Sequence, residues 1–102
     1  MKELQKKVGE FVQKHGLAAA PESRLLDICS EMGELAKEVL KNTNYGKSKF
    51  NKSTFPTEEL GDVLFSIICF ANAVGADLEK DLDKVMEKYA NRIKKRNSAS
   101  SS

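Results

Sequence analysis

Residues 27–38 read D-I-C-S-E-M-G-E-L-A-K-E and, after a loop, residues 57–62 read T-E-E-L-G-D. Glu31 and Glu34 stand three apart on the first segment, and Glu59 and Asp62 three apart on the second. Side chains three and four apart share one face of an α-helix. If the two helices pack antiparallel, both carboxylate pairs meet at one seam. Four like charges there repel and raise one another's pKa unless a cation neutralises them. Hard oxygen donors without thiolate or imidazole suit Mg²⁺ or Mn²⁺. The pattern predicts a metal site inside a helical bundle.

Around that stretch the periodicity is helical throughout. Leu4, Val8, Phe11 and Val12 predict a first helix over 2–15, stopped by Gly16. Pro21 suits the first turn of a second helix over 21–42. On it Leu25, Ile28, Cys29, Met32, Leu35, Ala36 and Val39 are expected to face a core, and Asp27, Glu31, Glu34 and Glu38 form a carboxylate stripe. A third helix over 57–74 carries Leu60, Val63, Leu64, Ile67, Ile68, Phe70, Ala71 and Val74, which cover more than one stripe. A helix apolar nearly all round needs more neighbours than a small monomer supplies. The pattern therefore predicts a homodimer or a dimer of dimers centred on the third helix. Gly75 ends that helix and Asp77 caps a fourth over 77–95, with Leu78, Leu82, Val85, Met86, Tyr89 and Ile93 inward. The fold class is all-α, four helices in one domain over 1–96, with a disordered serine-rich tail over 97–102.

Composition narrows the function. The 102 residues are 40% hydrophobic and 31% charged with a net charge of +2, too little to imply nucleic acid or a membrane surface. No run is apolar and long enough to span a bilayer, and no signal peptide is recognisable. Cys29 and Cys69 form no C-x-x-C and are expected as buried thiols of a cytoplasmic protein. No Ser-His or Cys-His pairing suggests a covalent nucleophile. A di-iron bundle would carry Glu-x-x-His, which both acidic helices lack.

Two features frame the acids. The loop 43–57 holds Lys47, Lys49 and Lys52 with no acid among them, and is long for a compact bundle. It is either mobile or placed at the mouth of the carboxylate site. On the fourth helix Lys80, Lys84, Lys88 and Arg92 step along one face. That ladder fits an anionic ligand beside a metal cluster, or simply the helix dipole. Phe11, His15, Phe50 and Phe55 are candidate pocket walls.

S-E-M-G-E-L-A-K-E (30–38) with E-E-L-G-D-V-L (58–64), followed by A-N-A-V-G-A-D-L-E-K-D-L (71–82) and K-Y-A-N-R-I (88–93), closely resembles the MazG-like nucleotide pyrophosphohydrolases. The likeness covers the second to fourth helices. It implies an all-α hydrolase that cleaves nucleoside triphosphates, with deoxynucleotides and modified nucleotides as candidate substrates, to monophosphate and pyrophosphate using Mg²⁺, with Mn²⁺ as a substitute. A nucleotide house-cleaning role follows from the same likeness. The family's metal ligands map onto Glu31, Glu34, Glu59 and Asp62, and its phosphate contacts onto Lys88 and Arg92. Glu34 and Glu38 are the candidates for orienting the attacking water. Where the family often has two adjacent acids, this chain has Ser30 before Glu31. The alternative is a non-catalytic dimerisation or nucleotide-sensing module on the same fold.

Overall fold

The computed structural model describes the backbone of residues 1–101 and side chains through Asn97. Four helices follow in order: α1 (Lys2–Lys14), α2 (Pro21–Asn42), α3 (Glu58–Val74) and α4 (Leu78–Ser101). The local signals act as expected. Pro21 opens α2, whose first turn has no use for its missing N–H. Gly75 closes α3 in the left-handed region at φ 72°, which a residue with a Cβ adopts only at a cost. The Asp77 carboxylate accepts the Lys80 N–H at 3.1 Å and caps α4. That helix passes its expected end at residue 95, since neither Gly nor Pro interrupts the chain there. Of the tail expected to be disordered over 97–102, the side chains from 98 onward, and for Ser102 the backbone, lie outside the described residues.

α3 is the centre of the chain. Among the described residues every buried one lies on it: Val63, Ser66, Ile68, Cys69 and Ala71. α1 and α2 flank it, both antiparallel. Gln5 meets Asn72 while Phe11 meets Phe65. Glu38 and Glu31 act on Glu59 at one end of α3, and Arg24 and Asp27 on Cys69 at the other. The half-buried positions of α2 are Arg24, Ile28, Glu31, Leu35, Glu38 and Asn42. Their spacing of three and four residues makes one stripe, and that stripe is the seam with α3.

α4 leaves this three-helix unit at a bend of 102° from α3. Gln5 fixes the corner. Its amide donates to Ala76 O at 2.8 Å and to Asn72 Oδ1 at 3.1 Å, and its Oε1 accepts the Leu78 N–H at 2.9 Å. The chain is extended in consequence: its radius of gyration is 18.0 Å, against about 13 Å for a compact domain of this length.

Several residues expected in the core are therefore open. Leu25, Met32 and Val39 on α2 are exposed, and so are Leu82, Met86, Tyr89 and Ile93 on α4. Cys69 is buried as expected, but Cys29 is exposed, because it lies off the seam on the open face of α2. α3 is only partly covered by its own chain: Leu60, Leu64 and Val74 on it are exposed too, so unpartnered apolar surface falls on α2, α3 and α4. Among the described residues, no single helix is long and apolar enough to cross a membrane.

Ile68 is the largest fully buried side chain. Ile68→Ala should lower unfolding free energy by about 2–5 kcal/mol, the range for emptying such a site. A denaturant melt that shifts by less than about 1 kcal/mol would move the centre of the core elsewhere.

Candidate metal centre

The seam between α2 and α3 is polar at one end. From α2 it receives Glu31 and Glu38, seven residues apart and both half-buried. From α3 it receives Glu59 and Asp62, on a face that continues through Ser66 and Cys69. One carboxylate oxygen each from Glu31, Glu59 and Asp62 lie within 4.8 Å of one another. Two helices thus supply three acids to one point.

Charge at this point is uncompensated by protein cations. The ion pairs of α2 lie to either side: Arg24 with Asp27 at 3.7 Å, and Lys41 with Glu38 at 3.6 Å. Among the described residues no lysine or arginine pairs with Glu31, Glu59 or Asp62. The result is visible on Glu59, whose carboxyl is held above the usual glutamate range. Partial desolvation is the largest cause, followed by the negative charges of Asp62, Glu38, Glu31 and Glu34. The donor set fits a hard divalent cation, being all carboxylate oxygen and short of positive charge.

The four acids predicted as ligands do not stand alike. Glu31, Glu59 and Asp62 form the group of three, while Glu34 is exposed and outside it, near enough only to repel Glu59. Glu38, one turn beyond Glu34 and on the seam, has more influence on Glu59 than Glu31 or Glu34 has. The 31–38 spacing was available in the sequence and lines up within about 20° on a helix, against about 60° for the nearer pair 31–34.

Lys88 and Arg92 share a groove of about 440 Å³ with Lys84, Glu87, Asn91 and Lys95, every wall of which comes from α4. The Arg92 guanidinium lies 5.7 Å from the centre of the Tyr89 ring. The groove belongs to the helix that departs from the α2–α3 seam. The aromatic candidates form two separate pairs. Phe11 meets His15 at a tilt of 52° with ring centres 4.6 Å apart, and Phe65 edge-on at 6.1 Å, beside an apolar depression of about 240 Å³. Phe50 and Phe55 pair at 5.4 Å within the loop. Cys69 is a packing thiol: burial pushes its pKa up and keeps it neutral.

Glu59 sets a pH dependence of known sign. A carboxyl raised on folding favours the fold when protonated, so its contribution is complete below the unfolded value of 4.5 and is lost as pH rises through the higher folded value. In chelator, Glu59→Gln should therefore gain Tm over the parent as pH increases from about 4 to about 7. A gap that stays constant with pH would show that Glu59 carries no such strain.

The chain is similar to known proteins over most of its length. The MazG nucleotide pyrophosphohydrolase domain matches residues 19–97. The "Uncharacterized protein YpjD" of Bacillus subtilis (strain 168) is 39% identical over 98 residues, which are 92% of this chain and 83% of that protein. The crystal structure of YPJD from Bacillus subtilis superposes with a TM-score of 0.71 at 37% identity, over 87% of this chain and 91% of that one. A Bacillus-conserved MazG protein, described as a nucleotide pyrophosphohydrolase, gives 0.70 at 38% identity over 86% of each chain. A profile spanning most of the chain, carried on an all-helical fold that places three carboxylates together, means that this protein belongs to the MazG nucleotide pyrophosphohydrolase family.

Proposed function

We propose that this chain hydrolyses nucleoside triphosphates to the monophosphate and pyrophosphate, with Mg²⁺ held by Glu31, Glu59 and Asp62 and joined by Glu34. The observation that carries this reading is the meeting of three carboxylates from two helices without a paired cation. Bound there, the metal neutralises phosphate charge and acidifies a water. The protein's own part is to position groups, since phosphoryl transfer asks little covalent work of it. Glu38, half-buried beside Glu59, is favoured over Glu34 for orienting the attacking water. Lys88 and Arg92 bind the departing pyrophosphate; Arg92 offers a planar fork and Lys88 a point charge. Deoxynucleotides and modified triphosphates fall within this reading, and a nucleotide pool places the protein in the cytoplasm.

The assembly is a homodimer or a dimer of dimers. Its support is the open apolar stripe Leu25, Cys29, Met32, Val39 on α2, with Leu82, Met86, Tyr89, Ile93 on α4, and the extended shape of one chain. A second copy covering these stripes also gives Lys88 and Arg92 of one copy a route to the carboxylates of the other. Light scattering should give at least a dimer mass at micromolar protein; a monomer mass refutes the assembly.

Pyrophosphate release from triphosphates should require Mg²⁺ and stop in chelator. Asp62→Ala and Glu34→Ala should each abolish turnover with helical content intact. If both keep the parent's Mg²⁺ dependence, the site is wrong. Lys88→Ala and Arg92→Ala should each lower kcat/KM by an amount corresponding to about 2–4 kcal/mol, as for loss of one preorganised charge contact. Values near the parent's would leave both cations as solvating charges on α4.

A further inference from the structure

The segment 43–57 is gripped by a single side chain. Asn42, the last residue of α2, accepts the Asn51 N–H on Oδ1 at 2.7 Å and donates Nδ2 to Asn51 O at 2.8 Å. The same Nδ2 lies 3.2 Å from Thr54 Oγ1. The amide thus pairs with the Asn51 backbone in both directions, as one strand residue pairs with another. Asn42 stands on the seam stripe, one turn beyond Glu38.

The chain between these points is reversed by a closed turn. Asn44, Tyr45 and Gly46 all have positive φ, at 49°, 57° and 86°. Their N–H groups are satisfied internally, by Lys41 O, Leu40 O and Thr43 Oγ1. Two non-glycine residues in the left-handed region persist only where surrounding bonds hold them. The turn is therefore closed on itself, and the backbone N–H groups of these three residues are not free to bind an anion. At the other end, α3 starts without a side-chain cap, for Thr57 is itself in the right-handed helical region and its hydroxyl makes no capping bond. Thr54 is only five residues before Glu59. The first turn of α3 is closed by backbone bonds alone, Glu59 N–H to Pro56 O at 3.1 Å and Leu60 N–H to Thr57 O at 3.0 Å; the grip on Asn51 and Thr54 ties that turn back to the end of α2.

We propose that Asn42 is a positioning residue of the acidic cluster. By holding the return of the loop it sets the register at which α3 enters against α2, and so the spacing of Glu59 and Asp62 from Glu31. The proposal rests on the metal reading above, and its test separates the two.

The probe is Mn²⁺ alone, titrated by calorimetry into the parent protein, Asn42→Ala and Asn51→Ala, with amide exchange followed on each. Asn51→Ala is the control, because it removes the local bonds of that side chain to Ser53 and leaves the backbone groups that Asn42 grips. Asn42→Ala should bind Mn²⁺ about ten- to a hundredfold more weakly, as when a group behind the ligands is lost. Its Glu59 and Leu60 amides should exchange faster. Asn51→Ala should bind within about twofold of the parent by the same reasoning. Parent-like Mn²⁺ affinity in Asn42→Ala, with faster exchange confined to the loop, would overturn the proposal; so would equal weakening by Asn51→Ala. If the parent binds no Mn²⁺, the metal reading fails, and exchange at Glu59 and Leu60 decides: faster in Asn42→Ala supports the register role, unchanged rejects it. Should Asn42→Ala not fold, Thr54→Val removes one of the three bonds and is read by the same two measurements.

Discussion

Negative charge inside the α2–α3 seam opposes the packing that brings it there. The seam stripe of α2 alternates Ile28 and Leu35 with Glu31 and Glu38, so the apolar contacts cannot close without drawing the carboxylates in. α3 answers with Glu59 and Asp62 at the same end, and with small Ser66 and Cys69 further along. Burial favours the seam along its length, while repulsion acts at one end only. The balance is a site held open by its own surroundings. The Glu59 carboxyl registers the cost, and a divalent cation is the form of relief its donors suit.

Much of this was legible because it is local. Carboxylates three apart, Pro21 at a first turn, Gly75 at a left-handed end and Asp77 as a cap are each decided by neighbours within one turn of chain. The antiparallel meeting of the two acidic helices, a condition of the sequence reading, is the arrangement α2 and α3 adopt. Which acid of α2 enters the seam did not follow. On a helical wheel Glu38 lies about 20° from Glu31 and Glu34 about 60°, both within one broad face, and the crossing of α2 on α3 decides which enters the seam. The direction of α4 was equally hidden. It hangs on Gln5 accepting the Leu78 N–H across 73 positions of sequence, by a residue that reads as an ordinary polar position on an amphipathic helix. Asn42 was missed for a similar reason, since an asparagine ending a helix looks unremarkable until its partners are known.

The apolar stripes teach a different point. Leu25, Met32 and Val39 on α2 and Leu82, Met86, Tyr89 and Ile93 on α4 have the spacing of core residues, and the pattern was read so. Periodicity says that a face wants cover; it carries no information on whether the cover comes from the same chain. Here α3 takes one face of each flanking helix, which leaves the second face of α2 and, beyond its first turn at Gln5, most of α4 without cover in one chain.

A single chain is thus short of two things, positive charge at the carboxylate seam and cover for its apolar stripes. Both can be supplied only by binding, and whatever binds the folded form alone stabilises it by mass action. Under the reading proposed, the folded state is then favoured jointly by divalent metal and by protein concentration, and neither deficit is repaired by the other. Metal relieves repulsion at the seam without touching Leu82 or Ile93, and association buries those stripes while leaving Glu59 among its like charges. The two lie on different elements, with α4 turned away from α3, so their contributions should be close to additive. Coupling appears only if association also carries Lys88 and Arg92 toward the carboxylates. A substrate spanning metal and cations would then draw on both at once, with its phosphates lying between charges that one chain alone keeps apart.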